Sequence, residues 1–121
     1  MTTDRAVLAA RLVSLLDVDD PTASLDRLLA LARDTADPAS RAVVLTQAAR
    51  AAGLAGDVER AGGWLDEASA FGDDLEVAVR VALERGRLLR SRGLGDAARP
   101  WFERALAPEA GTQVEGVLTG V

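Results

Sequence analysis

Two thirteen-residue stretches of this chain superpose at a constant offset of 37 residues. Gly56-Asp57-Val58-Glu59-Arg60-Ala61-Gly62-Gly63-Trp64-Leu65-Asp66-Glu67-Ala68 lies over Gly93-Leu94-Gly95-Asp96-Ala97-Ala98-Arg99-Pro100-Trp101-Phe102-Glu103-Arg104-Ala105. This sets Ala61 on Ala98, Trp64 on Trp101, Leu65 on Phe102 and Ala68 on Ala105, so both tryptophans of the chain occupy one place in the unit. Repetition at this period constrains the fold strongly. A unit so short cannot bury both of its faces alone and has to stack on a neighbour to complete a core.

The punctuation around the repeat divides the chain into six amphipathic segments. The first runs from about Asp4 to Leu16 with Leu8, Leu12, Leu15 and Leu16 on one stripe, and ends before Pro21, which cannot continue a helix. The second spans about Pro21 to Thr35, where Leu25, Leu28, Leu29 and Ala32 recur at helical spacing. The third, about Pro38 to Ala52, opens with proline and closes near Gly53, and carries a small-residue face of Leu45, Ala48, Ala49 and Ala52. Asp57 is the natural N-cap of the fourth, which ends near Phe71-Gly72. The fifth covers about Asp74 to Arg92, and the sixth opens at Gly95-Asp96 and runs to Pro108. Helices joined by such brief turns are expected as antiparallel neighbours. The expectation is an all-α domain over residues 1–108, with hairpins at about 4–36, 38–72 and 74–108. Residues 109–121 commit to neither period and read as an extended or frayed tail, whose ending also allows the chain to be a fragment of something longer.

A glycine turn, then alanine, a large apolar residue four positions on and alanine three after that, resembles the second helix of a tetratricopeptide repeat. Ala49 and Gly86 take the place of the small residues that let paired helices approach, with Ala52 and Leu89 one turn later. The resemblance covers about residues 42–108. The offset exceeds the family's roughly 34 residues, Arg85 stands where leucine is usual, and Pro100 lies inside a helical turn. Residues 4–36 match as a helical hairpin alone. The resemblance implies a short right-handed solenoid of stacked antiparallel hairpins, whose first helices line a concave groove that takes a peptide or a segment of a partner protein.

The amino acids the chain lacks remove whole classes of chemistry. There is no Cys, His, Tyr, Lys or Asn, which takes away thiol and imidazole nucleophiles, histidine general bases and every usual zinc ligand except carboxylates. Asp17, Asp19 and Asp20 do not make a calcium loop, since Thr22 and Leu28 stand where that loop needs glycine and glutamate. Gly93-Leu94-Gly95 lacks the Lys-Ser/Thr of a phosphate loop. We therefore expect no enzyme, no cofactor and no metal. With 14 Arg against 19 acids and a net charge of −5, no attraction to nucleic acid or to an anionic membrane is expected. No stretch approaches the roughly 18 apolar residues of a spanning helix, so a cytoplasmic location is the default. The use of arginine alone fits the coding bias of a high-GC genome.

One surface departs from this acidic balance. The fifth segment carries Arg80, Arg85, Arg87, Arg90 and Arg92, with Glu84 among them. At 100° per residue, Arg80, Leu83, Arg87 and Arg90 share a face, and Arg85 and Arg92 lie on another. By the resemblance, that face lines the groove beside Val43, Thr46, Arg50 and Leu54 of the preceding unit. Arg50, Arg80, Arg87 and Arg90 would steer an acidic peptide, and Val43, Leu54 and Leu83 would supply apolar contact. The plainer reading is that these arginines pair with Glu76, Glu84 and acids of neighbouring helices and merely solvate the face. Trp64 and Trp101 are expected to fill gaps between helices. Self-association, or docking to another domain, is the alternative function, carried by Leu8, Leu12 and Val13 of the first segment, with little polar relief at Ala6, Val7, Ala9 and Ala10, and by the uncapped tail from Pro108.

Overall fold

A computed structural model describes residues 4–107. The expectations for residues 109–121 lie outside the described residues. Six helices follow one another: α1 (Arg5–Leu15), α2 (Pro21–Asp34), α3 (Pro38–Leu54), α4 (Val58–Ser69), α5 (Leu75–Ser91) and α6 (Gly95–Leu106). No strand occurs among the described residues, and the fold is all-α as expected.

Local chemistry starts and stops these helices where the punctuation placed them. Asp4, Asp20, Asp57 and Asp74 sit at N-cap positions, and each side chain accepts a hydrogen bond from a backbone N–H two or three residues on, a cap that contributes about 1 kcal/mol. Pro21 and Pro38 occupy first turns, where a missing N–H costs nothing. Gly56 and Gly93 hold φ of 88° and 78°, a left-handed conformation that side chains resist. This lets the Asp57 N–H reach back to the Ala52 carbonyl at 2.8 Å and the Leu94 N–H to the Leu89 carbonyl at 3.0 Å, closing α3 and α5 identically. Exposed Pro100 lies within α6 without ending it.

The repeat of 37 residues governs the helices themselves. It carries Pro38 to Leu75 and Leu54 to Ser91, the ends of α3 and α5, and Val58 to Gly95 and Ser69 to Leu106, the ends of α4 and α6. It also reaches back into the first hairpin, which sequence comparison matches only in outline. The start of α2 at Pro21 stands one period before Val58, and Ser24, Ala61 and Ala98, spaced by that period, are all buried. These are three small side chains at one packing point. Gly86 makes the closest approach: a Cβ there would meet the Phe102 ring at 2.7 Å.

α3 is the centre of the molecule. It packs against α2, α4 and α5 and is touched by α1, so residues 42–49 are buried without a break, as expected of a helix that is covered all round. α5 packs on α3, α4 and α6. α1 is held more lightly than the expected first hairpin. It touches α2 and α3 only slightly and buries Leu8 and Leu12 alone.

Candidate functional site: two clefts around Arg50, Glu84 and Arg87

The electrostatic tie that seats α1 comes from Arg5. Its guanidinium donates to Asp74 Oδ2 at 2.8 Å, to Glu76 Oε1 at 2.9 Å and to Ser40 Oγ at 2.9 Å, joining the N-terminal ends of α1, α3 and α5. The Ser40 hydroxyl donates in turn to the Asp37 carboxylate. Arg5 holds the Asp74 carboxyl below the usual carboxylate range, and the acids raise Arg5 further above its already high value. The sequence reading missed this tie, because nothing local marks residue 5 as lying beside residues 74 and 76.

With α1 fixed there, the expected groove changes along its length. Val43 and Thr46 are fully buried, which corrects their assignment as partner-binding residues. α2, α4 and α5 pack around α3, and the Thr46 hydroxyl spends itself on the Val43 carbonyl at 2.6 Å. Cover then falls away toward the C-terminus of α3: Gln47 is buried, Arg50 half-buried, and Leu54 is 48% exposed.

The other six predicted residues come together around two adjoining clefts. The first, of about 390 Å³, opens between α1 and the pair α3 and α5; its walls include Leu12, Val13 and Leu16 on one side and Arg50, Arg80, Leu83 and Arg87 on the other. The second, of about 260 Å³, lies at the C-terminal ends of α3 and α5. Ala49, Gly53, Leu54, Leu65 and Leu88 give it apolar surface, and Arg50, Arg87, Arg90 and Ser91 a polar rim. Arg50, Glu84 and Arg87 line both.

Three arginines of α5 are paired with acids, as the plainer reading expects. Arg80 donates to Glu76 at 2.9 Å, Arg87 to Glu84 at 2.6 Å, and Arg85, on the opposite face, to Asp66 of α4 at 2.7 Å. Arg50 and Arg90 have no carboxylate within salt-bridge distance among the described residues. Arg90 lies over the Phe102 ring at 5.3 Å. The cleft at the helix ends is thus an apolar pocket flanked by two cations without ion-pair partners.

Among the described residues, Glu84 is the one charged side chain that is buried, 3% exposed. Burial pushes its carboxyl above the usual range, against the pull of Arg87, Arg50 and Gln47. Trp64 and Trp101 are half-buried, with Arg60 and Arg104 each 4.7 Å above the ring of one. Among the described residues no group of acids is arranged to hold a metal ion, and no helix is long and apolar enough to cross a membrane. Compared with family models, with curated proteins and with solved structures, the chain matches none.

Proposed function

We propose that this chain is a non-catalytic protein-interaction module, a short tetratricopeptide-like array that takes an acidic, apolar-bearing segment of a partner protein. The observation that carries the reading is the cleft at the ends of α3 and α5. Leu54 and Leu88 offer apolar surface for a side chain of the segment, and Arg50 and Arg90 stand beside them without a carboxylate of their own. Apolar burial supplies affinity in such a site, and the charges supply orientation and rate of encounter. The period that relates α3 to α5, and the start of α2 to the starts of α4 and α6, supports the array, since stacked units of one register present their corresponding helices side by side.

Panning a random peptide library on the protein tests this directly. Selected sequences should be enriched in Asp and Glu next to Leu, Ile, Val or Phe, and the enrichment should disappear with the double variant Arg50→Glu, Arg90→Glu. Selection of the same sequences by both proteins, or of sequences without acids, would remove the reading.

A second reading, self-association, rests on the outer face of α1. Val7 and Val13 are 57% and 80% exposed there, beside exposed Ala6 and Ala10. Sedimentation over a range of concentrations decides it, because a monomer throughout is incompatible with pairing through that face.

A further inference from the structure

Glu84 is poorly explained as a structural residue. A carboxylate 3% exposed is costly to desolvate, and a salt bridge to a half-buried arginine repays that only in part. A leucine or glutamine would fill the same space at lower cost. The carboxylate nevertheless sits at the partition between the two clefts, bonded to Arg87 Nη1 at 2.6 Å, with Arg50 and Gln47 facing it from α3. The other elements bring no competing charge to the two clefts: α1 supplies Ala9, Leu12 and Val13, the turn after it Leu16 and Val18, and α4 supplies Leu65. On α5 itself, Arg80 also lines the cleft under α1, but its guanidinium is bonded to Glu76.

We infer that Glu84 is an exchangeable counter-ion, holding Arg87, with Arg50 facing it beyond salt-bridge distance, until the carboxylate of a bound acidic segment takes its place between the two guanidiniums, with Glu84 taking up one proton from solvent as it is displaced. This inference rests on the acidic-ligand reading above and adds a coupling to it. Arg87, which lines both clefts, keeps an anion in either state, and Arg50 beside it adds a second cation for the incoming carboxylate. When the segment supplies that anion, Glu84 is left buried without a cation, and the neutral acid is the form a buried, unpaired carboxyl adopts. Binding is then linked to protons. The affinity for an acidic segment rises as pH falls, approaching about tenfold per pH unit at full coupling. A basic or uncharged segment gains nothing from the exchange, so Glu84 also acts as a filter on ligand charge.

The test is isothermal titration calorimetry with the peptide acetyl-Ser-Glu-Leu-Ser-Glu-Leu-Ser-amide. It is run between about pH 6 and 8, where the peptide's own acids stay ionised, in two buffers of different ionisation enthalpy that report proton uptake. The intact chain should bind more tightly toward pH 6 and take up as much as one proton per peptide. Glu84→Gln, isosteric and unable to ionise, should bind more tightly than the parent at the upper end of the range, with no pH dependence and no proton uptake. The ¹³C shift of the Glu84 carboxyl in the parent should move to the protonated position on saturation. Equal affinity and equal pH response in the parent and Glu84→Gln would overturn the exchange and leave the interaction module standing. Failure of the peptide to bind either protein, or equally tight binding of the same peptide with arginine in place of glutamate, would overturn the acidic-ligand reading itself.

Discussion

At Gly86 the space available decides the residue. A Cβ would sit 2.7 to 2.9 Å from three atoms of the Phe102 ring, a separation that forces the ring or the backbone to move. Gly86→Ala gains about 1 kcal/mol in helix propensity and loses roughly 1–3 kcal/mol to overpacking, so a net loss of stability is expected by urea unfolding. In the double variant Gly86→Ala, Phe102→Leu, most of that loss should return, because the smaller side chain gives up the contested volume. Greater stability in the single variant would show that the contact does not confine the ring. The approach is readable in outline from sequence, where Gly86 falls on Ala49 at the repeat offset. What sequence lacks is the partner: Phe102 replaces Leu65 in the same register, and only packing shows that the larger ring uses the space the glycine leaves.

Among the helices, α1 depends most on a few contacts. Leu8 and Leu12 each contribute on the order of 2 kcal/mol by burial, and the Arg5 network adds about 1 kcal/mol after screening, since its side chains are 27–32% exposed. Arg5→Ala should therefore free α1 selectively. Native-state hydrogen exchange is expected to show lost protection over residues 8–15 and near-parent protection across α3, with the same pattern appearing in the parent at high salt. Uniform loss over all helices would mean that α1 is integral to the core. The amphipathic stripe of this helix is plain in sequence. Its seat at the N-terminal ends of α3 and α5 is not, because that seat depends on contacts between residue 5 and residues 40, 74 and 76.

Across the whole molecule, two carboxylates give stability opposite dependences on pH. Asp74 has a folded-state pKa lowered by Arg5, so the folded chain binds fewer protons there than the unfolded one. Its stabilisation is present above the ordinary carboxylate range and is lost as pH falls through the folded value. Glu84 has a folded-state pKa raised by burial. The fold favours its protonated form, and stability declines as pH rises from the ordinary range through the raised value. Urea midpoints measured from acid to neutral pH should show Glu84→Gln gaining on the parent as pH rises. Arg5→Ala should fall behind the parent over the same range and converge with it in acid. A constant difference at every pH for either variant would contradict its assignment.

The amino-acid sequence determined what is settled within a few neighbouring residues. Aspartate caps, first-turn prolines and left-handed glycines act over one helical turn, so six helices and their bounds follow from local chemistry, and the period of 37 residues fixes which positions pack alike. Helical phase brings Arg80, Leu83, Arg87 and Arg90 to one face, and with Arg50 and Leu54 these residues line the two clefts. Tertiary structure decided what depends on distance and burial. It sent Val43 and Thr46 into the core, set Arg85 on Asp66 of α4, left Arg50 and Arg90 without carboxylate partners among the described residues, and enclosed Glu84 between two clefts. The reason is that a charge's behaviour is set by solvent and by the groups within a few ångströms of it, which side chains far apart in the chain supply only once the helices have packed.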